Sequence, residues 1–140
     1  MERGRLQEAQ SALREGIALV PENSAWTMLL ARVQVETGDP AGALDTLEKA
    51  QLSTKNRADY QAFVGTVLQM LSRHSDAIAH YEIAVQMAPA SGRWLAGLGI
   101  SLNEVKRYPE AREAYRRALA TNTLGEELQT FVERKLNQLP

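Results

Sequence analysis

The sequence predicts an all-α solenoid of stacked antiparallel helix pairs. Three observations support this fold: a repeat of 34 residues, helical spacing of apolar residues within each repeat, and small residues placed opposite large ones. Over residues 91–119, apolar positions recur at intervals of three, four and seven, which is typical of helices and not of strands. The small residues allow two such helices to lie close together.

The repeat keeps a constant register along the chain. Steps of 34 residues lead from Ala111 to Ala77, Ala43 and Ala9. The same step relates Tyr115 to Tyr81, Leu47 and Leu13, Gly99 to Gly65 and Ala31, and Trp94 to Tyr60 and Trp26. Each unit of this kind buries its apolar face only by stacking on a neighbour.

The register divides a single domain, residues 1–140, into five parts. We predict the second helix of an incomplete repeat over 1–23, full repeats over 24–57, 58–91 and 92–125, and a capping helix over 126–140. An incomplete repeat leaves its apolar face open. We therefore expect that this chain is a fragment of a longer protein, or that another segment or molecule covers its N-terminal end. The alternative is that the short first helix acts as its own cap.

Local signals predict where the helices begin and end. Ser24 is a candidate N-cap, Gly38 is a C-terminal glycine, and Asp39-Pro40 starts the next helix. Asn56 and Asp59 resemble a weak capping pair, and Ser72 replaces the glycine expected at a turn. Lys55 stands where other repeats have proline, so 52–57 is predicted to be the least regular turn.

Composition limits the classes of function. The chain has 16 basic and 17 acidic residues, a net charge of −1 and no cysteine. Nothing indicates a nucleic-acid or anionic-membrane surface, and disulfides, thiol catalysis and thiolate zinc sites are excluded. No run approaches the ~20 apolar residues of a membrane span.

No pattern of catalytic residues emerges, and we predict a non-enzymatic protein without cofactor or metal. His74 and His80 are six residues apart, which is not the spacing of a helical metal pair, and each fits a turn or a solvated face better. Gly97 and Gly99 lie within a helix, where close packing explains them better than phosphate binding.

The concave surface of the solenoid is the predicted binding site, because the first helices of successive repeats line it. Arg32, Gln69, Arg93 and Asn103 are the strongest candidates, since packing alone does not require polar side chains there, whereas packing explains Ala62 and Ala96. A mixed surface of this kind suits an extended or helical peptide. The predicted site residues are Met28, Arg32, Val35, Thr66, Gln69, Met70, Arg93, Ile100 and Asn103.

The pattern Trp94, Leu98, Gly99, Leu102, Tyr108, Ala111, Tyr115 and Ala118 resembles the tetratricopeptide repeat family. The resemblance implies a right-handed superhelix with a C-terminal capping helix, and it leaves the partner open. Some members clamp the acidic C-terminus of a chaperone with Lys and Asn in the groove. This chain has Met28, Arg32, Phe63 and Gly97 in those columns, so that partner class is rejected.

Residues 90–139 are also similar to the C-terminal repeats of the accessory protein for mannose-sensitive haemagglutinin pilus biogenesis, a type IV pilus system. The shared runs are 92–94, 97–99, 115–119 and 131–133. The resemblance implies a bacterial protein that is anchored in the inner membrane. It also implies that the soluble repeats bind pilus assembly components, and that they lie on the periplasmic side of the membrane in preference to the cytoplasmic side. The alternative function is a self-assembling element that forms homo-oligomers through its terminal helices.

Overall fold

The computed structural model describes residues 2–140, without the side chain of Leu52, and this part of the chain is all-α, as predicted. It contains nine helices and no strand. They are α1 (Glu2–Leu19), α2 (Ser24–Glu36), α3 (Pro40–Glu48), α4 (Leu52–Lys55), α5 (Ala58–Met70), α6 (His74–Met87), α7 (Gly92–Glu104), α8 (Tyr108–Ala120) and α9 (Glu126–Gln138). The one-turn helix α4 occupies the turn predicted to be least regular.

The chain forms two compact units. The first extends to Tyr60 and holds α1 to α4 with the start of α5, and the second runs from Gln61 to Pro140. In the first unit α2 packs against α1 and α3. In the second unit α7 packs against α6 and α8, and α8 packs against α9. In these five pairs, helices adjacent in sequence are neighbours in space, as the helix-pair repeat predicts.

The predicted small and large positions form the core of each unit. Ala43 and Leu47 are fully buried in the first unit, and Ala77, Ala111 and Tyr115 are fully buried in the second. Apolar burial at about 25 cal/mol per Å² is the main stabilising term for such a core. The register of the repeat therefore identifies the residues that hold each helix pair together.

The structure corrects one predicted helix cap and confirms another. The N-cap of α2 is Asn23, whose Oδ1 accepts from the Trp26 backbone N–H at 3.1 Å. Ser24 is the first helical residue, and its hydroxyl accepts instead from Arg57. Asp39 caps α3 as predicted, by accepting from the Gly42 N–H at 2.9 Å.

The predicted capping pair before α5 takes a different form. Asp59 accepts from Arg57 Nε and Nη2 at 3.0 and 2.8 Å, and its Oδ1 also accepts from the Tyr60 N–H. An ion pair with Arg57 replaces the reciprocal bond expected with Asn56. The part of the chain that the structure describes contains no helix long and apolar enough to cross a membrane.

Three turns in register end the first helices with a residue in the left-handed region. Gly38, Ser72 and Lys106 have φ of 82°, 59° and 65°. In each turn the next residue donates to a carbonyl five positions back, as in Arg73 to Leu68 at 2.8 Å. This backbone conformation costs a non-glycine residue about 1–2 kcal/mol.

Ser72→Gly is expected to raise the free energy of unfolding by about 1 kcal/mol, because glycine adopts positive φ without steric cost. Urea denaturation of the wild type and the variant measures the difference. The matched control is Gly38→Ser, which should lower the free energy of unfolding by a similar amount. Equal midpoints for Ser72→Gly and the wild type would contradict the assignment of strain to this turn.

Candidate functional site

The histidines are used within the fold. His74 Nδ1 lies 3.2 Å from Ser101 Oγ, and His80 Nδ1 lies 2.8 Å from Gln61 Oε1. Both rings are partly buried. His74 begins α6, beside a turn, whereas His80 lies within that helix. Among residues 2–140 there is no group of three or more side chains that could hold a metal ion.

The first helices α5 and α7 are joined by the side chain of Gln69. Its Nε2 donates to the Gly97 carbonyl oxygen at 2.6 Å and to Ser101 Oγ at 2.8 Å. Its Oε1 accepts from the Tyr81 hydroxyl at 3.2 Å. Both ends of the amide are therefore engaged, and each such bond contributes about 1 kcal/mol net.

Tyr81 reaches Gln69 because glycines leave room for its ring. A Cβ on Gly65 would lie 2.8 Å from Tyr81 Cδ2, and one on Gly97 would lie 2.7 Å from Cε1. The hydroxyl also lies 2.7 Å from Thr66 Oγ1. Burial raises the pKa of Tyr81, and the bond with Thr66 and the charge of Arg93 offset part of that rise.

These contacts give two predicted site residues an internal role. Thr66 and Gln69 belong to a hydrogen-bonded network that links α5, α6 and α7. The expectation that packing does not require Gln69 is therefore wrong. The sequence signal for this role was the set of polar residues around Gln69. Only this repeat has a glutamine at that position together with a tyrosine at Tyr81 and a serine at Ser101, 32 residues after the glutamine.

The next step of the repeat lacks this network. Tyr115 stands in register with Tyr81 and is fully buried, yet within the described range its hydroxyl has no hydrogen-bond partner. Ile100 replaces Thr66 and has no hydroxyl, while Asn103 replaces Gln69 and is shorter by one methylene. Burial, and secondly the charge of Glu104, raise the pKa of Tyr115 to about 12.

Tyr115→Phe is expected to remove a pH dependence of stability. A tyrosine in the unfolded chain ionises near pH 10. Because the folded pKa is higher, the free energy of unfolding is unaffected by this group below about pH 10 and falls as pH rises from about 10 to 12, by about 2–3 kcal/mol in total. Urea denaturation at pH 8 and pH 11 tests this.

At pH 8 the same variant should match the wild type within about 1 kcal/mol, because no hydrogen bond is lost. Tyr81→Phe is the control, since it does lose its bonds and should be less stable at pH 8. A Tyr115→Phe variant as unstable as Tyr81→Phe would show that the hydroxyl has a partner after all.

The other predicted site residues differ in accessibility. In the second unit Met70 is 53% exposed, Arg93 is exposed, and Ile100 and Asn103 are half-buried. Within the described chain, the side chains of Arg93 and Asn103 form no hydrogen bond or ion pair. In the first unit Arg32 is exposed and Val35 half-buried, whereas Met28 is only 8% exposed and offers little surface to a partner.

A furrow occurs in both units at the same register. In the second unit it has a volume of about 560 Å³, and in the first about 510 Å³. The second helices form its walls, with Val85 and Ala114 in the second unit and Ile17 and Thr46, each 68 residues earlier, in the first. The first helix forms its floor, with Leu98 and Leu102 in the second unit and Leu30 and Gln34 at the same positions in the first. Because it recurs, helix packing explains it, and we assign it no ligand.

Family models confirm what the helix pairs indicate. Two models described as tetratricopeptide repeat match residues 1–66 and 65–125. The chain belongs to the tetratricopeptide repeat family. No curated protein matches this tetratricopeptide repeat chain.

Solved structures share the tetratricopeptide repeat fold of the whole chain. A crystal structure of MamA is 17% identical with a TM-score of 0.82, covering 96% of this chain and 82% of MamA. MamA 41-end from Desulfovibrio magneticus is 19% identical with a TM-score of 0.82, covering 97% of this chain and 78% of that one. A tetratricopeptide repeat protein from Parabacteroides merdae is 17% identical with a TM-score of 0.82, covering 97% and 54%. At these identities the likeness concerns the fold alone.

Proposed function

We propose that this tetratricopeptide repeat protein is a non-catalytic scaffold that binds a peptide or protein partner on its first helices. Proteins of this family are generally scaffolds of that kind. The observation that carries the proposal is on α7, where Arg93 and Asn103 hold polar groups without internal partners at the register positions predicted for the groove. Met70 and Ile100, at other positions predicted for the groove, add apolar surface, and such a mixture suits peptide recognition.

Affinity capture from the source cell tests this function. Asn103→Ala should reduce recovery of the partner while the helical circular dichroism and melting temperature stay unchanged. Gln86→Ala, on the exposed side of the second helix α6, is the matched control and should recover the partner normally. Equal recovery by both variants, in proteins of equal stability, would count against the first-helix surface.

A role in type IV pilus assembly is the finer part of the proposal. It rests on the sequence resemblance of residues 90–139, which also supports bacterial origin and a periplasmic position. Disrupting the gene and counting surface pili tests the role. A single cysteine at Arg116 tests the position, because the chain has no other thiol and a membrane-impermeant maleimide labels it only if it faces the periplasm.

Self-association through a terminal helix is the second candidate, favoured by the apolar surface of α1. Leu19 is 83% exposed, and the positions Ala9, Leu13 and Gly16 are only half-buried. On α9, by contrast, Glu133 occupies the column of Gly99, so close packing of a further helix is unfavourable there. Sedimentation at increasing concentration should show association that Leu19→Lys weakens, and a monomer at every concentration would remove this candidate.

A further inference from the structure

Three side chains of α7 lie on one line along the helix. At 100° per residue, Ile100 and Glu104 each project about 20° from Arg93, on opposite sides of it, and a rise of 1.5 Å per residue separates the two charged residues by about 16 Å. Arg93 and Glu104 are exposed, and neither forms an ion pair with any residue in the described range. The line therefore has a positive end, an apolar middle and a negative end.

Two further side chains lie outside this line: Met70 follows Gln69 at the end of α5, and Asn103 projects about 80° around α7 from Arg93. Met70, at the end of α5, is 53% exposed and adds apolar area. Asn103 is half-buried, and its amide has both a donor and an acceptor that no described residue uses. Gln69 holds α5 against α7 through Gly97 and Ser101, so the surface has a fixed base.

We propose that this surface, defined by Met70, Arg93, Ile100, Asn103 and Glu104, binds an extended peptide segment with opposite charges at its two ends. An extended chain rises about 3.3 Å per residue, so about five residues span the 16 Å. An acidic residue pairs with Arg93, an apolar residue packs on Ile100 and Met70, and a basic residue pairs with Glu104. The Asn103 amide binds the segment's backbone, which an extended chain leaves free. This inference rests on the proposed function and specifies its partner.

Acidic side chains near Arg93 weaken its attraction for an acidic residue of a bound peptide. A shallow pocket of about 580 Å³ is lined by Arg93 together with Glu126 and Glu127. These carboxylates lie in the first turn of α9, where the backbone N–H groups favour negative charge. Neutralising them should strengthen the attraction of Arg93 for an acidic residue, so Glu126→Gln with Glu127→Gln is expected to raise the affinity for the proposed segment.

The test selects ligands from a random heptapeptide display library on the wild-type chain. The best peptide is synthesised with blocked termini and a fluorophore, and its affinity is measured by anisotropy at low salt. Arg93→Glu and Glu104→Lys should each weaken binding about tenfold, and exchanging the corresponding charge on the peptide should restore it. Glu113→Lys and Arg116→Glu, exposed on α8, are matched controls and should leave the affinity unchanged.

The outcomes separate this inference from the function on which it rests. Loss of binding in Met70→Ala and Asn103→Ala, with no effect of the charge reversals, overturns the opposite-charge segment and keeps the first-helix surface. Binding that no variant on this surface alters, or selection that yields no ligand, overturns both. Circular dichroism of each variant confirms the fold, which substitutions at exposed positions should leave intact within about 0.5 kcal/mol.

Discussion

Gly99→Leu is expected to destabilise the second unit strongly. A Cβ at this position would lie 2.6 Å from Tyr115 Cε1 and 2.7 Å from Cδ1, well inside the contact distance of about 3.5 Å between carbon atoms. Overpacking usually costs about 1–3 kcal/mol, and a branched side chain against a fully buried ring should reach the upper end of that range. Thermal and urea denaturation measure the loss.

A double-mutant cycle shows whether the ring of Tyr115 causes the loss. In the first repeat the same two positions hold Ala31 and Leu47, both fully buried. There an alanine, larger than Gly99, is paired with a leucine, smaller than Tyr115. Gly99→Ala should therefore cost less in a Tyr115→Leu background than alone, with a coupling of about 1 kcal/mol or more. Strict additivity would show that the clash is relieved elsewhere.

Gly4→Ala is the matched glycine control. Gly4 lies within α1, and a Cβ there would have no atom within 4 Å. Alanine favours a helix by about 0.5–1 kcal/mol over glycine, so this variant should be at least as stable as the wild type. The opposite signs expected at the two glycines separate close packing from helix propensity.

Gln69→Ala is expected to lower the free energy of unfolding by about 2–3 kcal/mol. The substitution removes the bonds to the Gly97 carbonyl, the Ser101 hydroxyl and the Tyr81 hydroxyl. A buried polar group that loses its partner costs about 1–3 kcal/mol, and Gln69 is only half-buried, so water offsets part of the loss. Urea denaturation gives the value, and amide exchange in α7 should accelerate.

Asn103→Ala is the matched control at the next step of the register. Its side chain makes no hydrogen bond to a described residue, so the free energy of unfolding should change by less than about 0.5 kcal/mol. Partner binding should respond to Asn103→Ala, whereas Gln69→Ala acts first on stability. If the two variants were equally unstable, the assignment of Gln69 to the fold and Asn103 to the partner would be wrong.

The fold was predictable because its signals are local or periodic. The small and large columns, such as Ala77 with Tyr81, follow from volume and a spacing of four on one helix face. Asp39-Pro40 marks a helix start by backbone chemistry alone. The cap at Asn23 was missed because Ser24 beside it is an equally good capping residue. Only the backbone dihedral angles decide which of the two lies outside the helix.

The sequence by itself determined the helix pairs, their register and the residues that pack between them, because periodicity and side-chain volume act within one repeat. The tertiary structure alone decided which polar residues of the first helices remain available to a partner. Gln69 and Asn103 share a column, yet Gln69 is engaged by atoms 28 and 32 residues away, and Asn103 is too short for the same bonds. Whether a buried polar side chain finds its hydrogen-bond partners depends on distances between helices, and the spacing of residues along the chain does not encode those distances.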